Sequence, residues 1–189
     1  MIDNLTLFLE SVDRNIFFLI NELHSPIIDS LMLLISNKFI WIPLYFFLIY
    51  FMVKEKNKNV YLKVILCLIT VILADFTTSS IMKPFFERLR PCHNNNINEM
   101  IHLVGTCKGL FGFASSHAST TFSLASIMSF FYPRIKNIKL LFLWSIVICY
   151  SRIYLGVHYP LDIIAGMIIG GLIAILIYKF YNIIILKYV

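Results

Sequence analysis

Five continuous apolar stretches, residues 39–53, 60–82, 118–132, 138–154 and 161–181, dominate the chain and limit what it can fold into. None shows the polar–apolar alternation of a barrel strand, so each predicts a helix. A helix needs about 20 apolar residues to cross the hydrocarbon core of a bilayer. The runs at 39–53 and 118–132 are shorter, and their helices are expected to extend into neighbouring residues. With 59% hydrophobic and 14% charged residues, a soluble globule of 189 residues has too little interior to hide this surface. The bilayer must act as solvent for much of it. The expected fold is an all-α integral membrane protein with five or six transmembrane helices, in a single domain over residues 1–189.

The N-terminal segment, residues 1–36, reads differently. Residues 5–23 mix Leu, Phe and Ile with Glu10, Asp13, Arg14, Asn15, Asn21 and Glu22, the pattern of an amphipathic helix at the membrane interface. His24-Ser25-Pro26 breaks it, and a shorter apolar piece follows at 27–35. The two pieces either lie on the membrane surface, the favoured arrangement, or combine as a hairpin into a sixth crossing. Asp3, Glu10, Asp13 and Arg14 interrupt any signal-peptide core, so none is expected.

Basic residues set an orientation. Lys54, Lys56 and Lys58, then Arg134, Lys136 and Lys139, then Lys179 and Lys187 all fall on one side of a five-span arrangement, which should be cytoplasmic. The opposite face carries residues 83–116 and the short turn 155–160. That face also holds Lys83, Arg88, Arg90, Lys108 and Arg152, against the charge rule. Phosphate binding would explain them. The net charge of +6 fits basic loops beside anionic headgroups rather than nucleic-acid binding.

Three clusters sit at helix ends on this face: Lys83 with Arg90-Pro91, Ser115-Ser116-His117, and Ser151-Arg152 with His158 and Asp162. In this order they resemble the three motifs of the type-2 phosphatidic acid phosphatase (PAP2) superfamily, K-x6-R-P, P-S-G-H and S-R-x5-H-x3-D. The resemblance covers roughly residues 75 to 165, motifs for 83–162 included. It departs at Ala114, where the family has Pro, and at Ser116, where it has Gly. A lost glycine restricts the backbone if the position needs positive φ, so altered loop geometry is expected there. The resemblance implies a bacterial inner-membrane lipid phosphatase with its site facing the periplasm or exterior and a phosphohistidine intermediate. Candidate substrates are undecaprenyl pyrophosphate, phosphatidylglycerol phosphate, phosphatidic acid and lipid A.

The residue types fit that chemistry on their own terms. A phosphomonoester carries about −1.5 to −2 charges near neutral pH and needs fixed cations. Arg90 and Arg152 offer bidentate forks, and Lys83 a compact charge. Ser115, with the amides of Ser116 and His117, lies where the helix at 118–132 begins, and a helix N-terminus presents unpaired N–H groups to an anion. His158 stands at the entrance of the last helix, which Pro160 starts. Asp162, four residues on, can take the proton of one imidazole nitrogen and leave the other free to attack phosphorus. The resemblance gives His117 the proton transfers to the leaving alkoxide and from water. The scheme requires no metal and no cofactor.

Other residues carry plainer expectations. Glu87 and Arg88 read as loop charges or a local pair, and His24, His93 and His102 as solvated loop histidines. Asp75 shares a helical face with Ser79 and Lys83 and is expected to support the pocket floor. Gly166 and Gly170 predict close helix packing. Cys67 and Cys149 read as apolar filler, while Cys92 and Cys107 share the outer loop, where an oxidising compartment allows a disulfide. Two other function classes compete: a lipid-phosphate carrier without turnover, and a vanadate-binding haloperoxidase relative. Intact His117, His158 and Asp162 argue against the first, and hydropathy against the second.

Overall fold

The computed structural model describes residues 2–54 and 59–188, with side chains over 5–54 and 59–186. Lys56 and Lys58 of the basic loop lie outside the described residues. The described chain is helical: α1 (Ile2–Asn21), α2 (Pro26–Ser36), α3 (Ile42–Lys54), α4 (Val60–Phe76), α5 (Lys83–Phe86), α6 (Ser116–Phe131), α7 (Leu140–Tyr154) and α8 (Pro160–Tyr188). A π-helical segment, Thr77–Met82, joins α4 to α5, so the helix runs unbroken from Val60 to Phe86 over 27 residues. At 1.5 Å per residue that is about 40 Å, more than the hydrocarbon core requires. Val60–Phe86, Lys136–Tyr154 and Pro160–Leu186 are each long and apolar enough to cross a membrane. Leu5–Asn21 and Pro26–Ser36 pass that test only as a pair, bent by 115°.

Where helices meet, small residues let them approach. A Cβ on Gly166 would lie 2.5 Å from the Ser115 carbonyl oxygen, and one on Gly170 would lie 2.3 Å from that of Ser119. Any side chain there would push α8 off α6, which is the close packing the two glycines predict. Ala118, Ala125 and Ala174 are fully buried in the same region. One apolar cluster, with Leu66, Met128, Phe131 and Leu141, fills the bundle end remote from Lys83 and His158. A second, with Phe17, Ala118, Cys149, Ile153 and Tyr159, lies beneath the turn that carries His158. Cys67 and Cys149 are buried and unpaired.

Helix α1 is amphipathic, as its sequence predicts, but it turns Asp13 and Asn21 inward while Glu10, Arg14 and Asn15 stay exposed. Asp13 (2% exposed), Phe17 (0%) and Asn21 (1%), at steps of four, face the bundle, whereas Leu5, Leu7, Phe8, Ile16 and Leu19 point outward. The outer face is therefore mixed, and the two inward polar side chains must find partners inside. Asn21 donates to the carbonyls of His102 (2.9 Å) and Tyr154 (2.8 Å). Asp13 reaches the site described next.

Candidate active site

The three motif segments converge at one end of the bundle. The first arrives on the long α4–α5 helix. Its π-helical segment carries Thr78 and Ser79 toward α6: the Thr78 and Ser119 hydroxyls lie 3.1 Å apart, and those of Ser79 and Ser116 2.7 Å apart. Ser79 also donates to Asp75 (3.3 Å), and Lys83 Nζ donates to Ser116 Oγ (2.9 Å). The Asp75–Ser79–Lys83 face therefore meets the N-terminus of α6.

After α5 the chain reverses at Glu87, whose φ of 46° is the left-handed turn that stops the helix. Residues 88–90 then run extended against 110–112: Arg90 N–H donates to Leu110 O (3.1 Å) and Gly112 N–H to Arg88 O (2.8 Å). In an extended segment, residues two apart share a face. Arg88 and Arg90 both turn inward, and Leu89 is left 38% exposed. Gly112 is required by proximity, since a Cβ there would lie 2.8 Å from Asp162 Oδ2.

The third segment leaves α7 at Gly156, whose φ of 78° favours glycine. The chain then places His158 just ahead of Pro160, the first residue of α8. His158 is 1% exposed. Its Nδ1 lies 3.2 Å from Asp162 Oδ2, which also accepts from Tyr159 N–H (3.0 Å). Its Nε2 lies 3.3 Å from Arg90 Nη1. Only one tautomer satisfies both neighbours, with Nδ1–H donating to the carboxylate and the Nε2 lone pair facing Arg90. Burial, reinforced by the charges of Arg90, Arg152 and Lys83, holds this imidazole well below its ordinary pKa. The ring is neutral, and its Nε2 lone pair faces Arg90.

Three buried polar atoms around His158 have no hydrogen-bond partner among the described residues: Arg90 Nε, Arg152 Nε and Ser115 Oγ. Ser115 caps α6 without using its side chain to do so. Arg152 Nη1 donates to Ser36 Oγ, which ties the end of α2 to the site. Buried polar atoms without partners are costly, and three from different motifs beside one histidine are able to satisfy an anion. The charges of Arg152, Lys83 and Arg90, with His158, also act on His117. His117 and Ser116 border a cavity of about 890 Å³, otherwise walled mainly by apolar side chains of α3, α4, α6 and α7, including Tyr45, Leu48, Val64, Leu124 and Trp144. Its size is at the upper end for ligand pockets.

Several expectations need correction. Arg88 is neither a free loop charge nor paired locally with Glu87: it bridges Asp162 (2.8 Å) and Asp13 (2.5 Å). His102 and His24 are not simply solvated: His102 bonds Asp29 (2.9 Å), and the two rings stack with centroids 3.9 Å apart. Ser116 does not occupy a positive-φ position: Glu87 is the one non-glycine with positive φ among the described residues, and Ser116 is the first residue of α6. The disulfide expected between Cys92 and Cys107, by contrast, is formed, across a 15-residue separation. With His93 they lie close enough to hold a metal, but both sulfurs are committed to each other.

A membrane-embedded helical bundle with a buried histidine, its carboxylate and an arginine-rich anion pocket defines the class: phosphoryl transfer at a bilayer. Known proteins narrow it further. The family model described as the PAP2 superfamily matches residues 60–185. The chain is 36% identical over 171 residues to the lipid A 4'-phosphatase of Bacteroides thetaiotaomicron, covering 87% of this chain and 74% of that protein. The crystal structure of Aquifex aeolicus LpxE superimposes with a TM-score of 0.66 at 26% identity, covering 87% of this chain and 93% of the other. That of a transmembrane PAP2-type phosphatidylglycerolphosphate phosphatase from Bacillus subtilis gives 0.68 at 19% identity, covering 92% and 86%, a likeness of fold alone. The chain belongs to the PAP2 superfamily and is a membrane lipid phosphatase.

Proposed function

We propose that the chain removes a phosphate monoester from a lipid A-type glycolipid, with His158 as the nucleophile. The observation that carries the mechanism is the neutral His158 fixed between Asp162 and Arg90, beside the unpartnered Arg90 Nε, Arg152 Nε and Ser115 Oγ. Lys83, Arg90, Arg152 and Ser115 would bind the phosphate oxygens, together with the amides at the start of α6 and Ser116, which steadies Lys83. In the first step the Nε2–phosphorus bond forms as the ester oxygen leaves, taking a proton from His117. In the second, water attacks the phosphohistidine, gives its proton to His117 and releases inorganic phosphate. Arg90 Nη1 must exchange its contact with Nε2 for a phosphate oxygen as substrate enters, which exposes the lone pair only when an anion is bound.

Two observations support a lipid. His117 and Ser116 line the wall of the 890 Å³, mainly apolar cavity, into which an acyl chain would extend from the headgroup. The 36% identity to a lipid A 4'-phosphatase favours a glycolipid phosphate over a prenyl diphosphate. Five or six spans, with the basic end at Arg134, Lys136 and Lys139 in the cytoplasm, would put the site on the periplasmic face of a bacterial inner membrane. Purified protein should release phosphate from lipid A and lose this activity as His158→Ala. Turnover of phosphatidic acid or undecaprenyl pyrophosphate in preference to lipid A would overturn the substrate assignment.

A further inference from the structure

The motif residues do not explain how Asp162 is held. Its Oδ2 takes His158 Nδ1–H and Tyr159 N–H, and its Oδ1 takes Arg88 Nη1 at 2.8 Å. Asp162 is fully buried, and Arg88 is the one cation within ion-pair distance of it among the described residues. A buried carboxylate without a cation is strongly disfavoured. Arg88 is held in turn from two sides: its Nη2 bonds Asp13 Oδ2 at 2.5 Å, and its guanidinium lies over the Tyr159 ring at 4.3 Å. The second oxygen of Asp13 accepts the N–H of Leu161 at 2.8 Å. Leu161 is in the first turn of α8, where backbone donors lack intrahelical partners. Asp13 therefore caps, from another helix, the helix that carries Asp162, and a carboxylate at that end is also favoured by the helix dipole.

We propose that Asp13 and Arg88 are positioning residues that lock the Asp162 carboxylate against His158, which makes the N-terminal helix α1 part of the catalytic unit. The relay runs Leu161 N–H to Asp13, Asp13 to Arg88, Arg88 to Asp162, and Asp162 to His158. Of the four side chains it joins, Asp13 lies outside the three motifs and Arg88 fills an unspecified position of the first. Neither Asp13 nor Arg88 touches the phosphate, so their loss should slow chemistry and leave binding intact. The proposal rests on the reading of His158 as the nucleophile.

The test compares Arg88→Met, Asp13→Asn, the double variant and wild type as full chains in detergent. Asn at position 13 keeps an acceptor for Leu161 N–H but removes the negative charge that faces Arg88 and the oxygen that accepts from its Nη2, so it folds if the cap is what matters for folding. Arg88→Met should lower kcat by about 10- to 100-fold, the range for groups that orient a catalytic ligand, with KM changed by less than about threefold. Asp13→Asn should lower kcat less, and the double variant should be no slower than Arg88→Met alone, because both act through one chain of contacts. A second readout needs no turnover: the Nδ1–H proton resonance of His158 should be far downfield in wild type and move upfield in both single variants as its acceptor weakens. Unchanged kcat in Arg88→Met, or additive losses in the double variant, would overturn the relay. An unshifted proton resonance would do so even in a protein that fails to turn over lipid, and a shifted one there would uphold the relay while the phosphatase reading fell.

Discussion

The contact of α8 with α6 aligns the two halves of the site, and a single methyl group should misalign them. Ser115, Ser116 and His117 sit at the start of α6, whereas Asp162 sits in the first turn of α8, with His158 just before it. Gly170 lies two turns further along α8, where an added Cβ would be 2.3 Å from Ser119 O and 3.0 Å from Ser119 C. Both are rigid backbone atoms. Ordinary contact begins at 3.4 Å, so Gly170→Ala must part the helices by roughly 1 Å. Overpacking of this kind costs about 1–3 kcal/mol, and a 1 Å displacement of catalytic groups can cost about 100-fold in rate. Gly171→Ala is the internal control, because its Cβ would meet Phe122 at 3.5 Å, an ordinary contact. In mid-helix that control should be neutral or stabilising. Phosphate release and thermal melting of the two variants in detergent decide the matter. Equal activity in Gly170→Ala and Gly171→Ala would refute the claim that this helix contact sets the geometry of the site.

Other outcomes follow from the same structure. Ser116→Ala removes the hydroxyl that accepts from Lys83 (2.9 Å) and should raise KM by no more than about tenfold, measured by steady-state phosphate release. Opening Cys92–Cys107 with reductant should destabilise the 15-residue loop by about 3 kcal/mol in the chain-entropy model, seen as faster proteolysis between residues 92 and 107. Folding keeps His158 neutral well below 6.5, so the unfolded chain alone binds that proton. The corresponding stability is present above pH 6.5 and is lost progressively as pH falls below it, and His158→Asn should flatten that part of the melting-temperature profile.

Much of this was legible in the sequence. The apolar runs located the main helices to within a few residues, because a bilayer demands uninterrupted hydrophobicity and leaves little choice of element. The convergence of Lys83, Arg90, Ser115, Arg152, His158 and Asp162 followed from their places at helix ends on one predicted face. Arg88 reads as a loop charge because an R-x-R between two helices carries no apolar period. Read as an extended pair, its spacing of two puts both arginines on one side. Asp13 carried no usable local signal: its partners lie 75 and 148 residues away. A carboxylate on an amphipathic helix normally marks the wet face, and only the tertiary arrangement reveals that Asp13 turns inward to the site while Glu10 and Arg14 of the same helix stay exposed.

The central claim is that phosphate passes through Nε2 of His158, and trapping that intermediate tests it most directly. His117→Ala should still accept phosphate from an aryl phosphate, whose leaving group needs no proton, but should hydrolyse the intermediate slowly. Rapid base quench of this variant with labelled substrate should then leave one acid-labile phosphate per chain on the peptide containing His158. Steady turnover by His117→Ala with no label on that peptide would contradict the account.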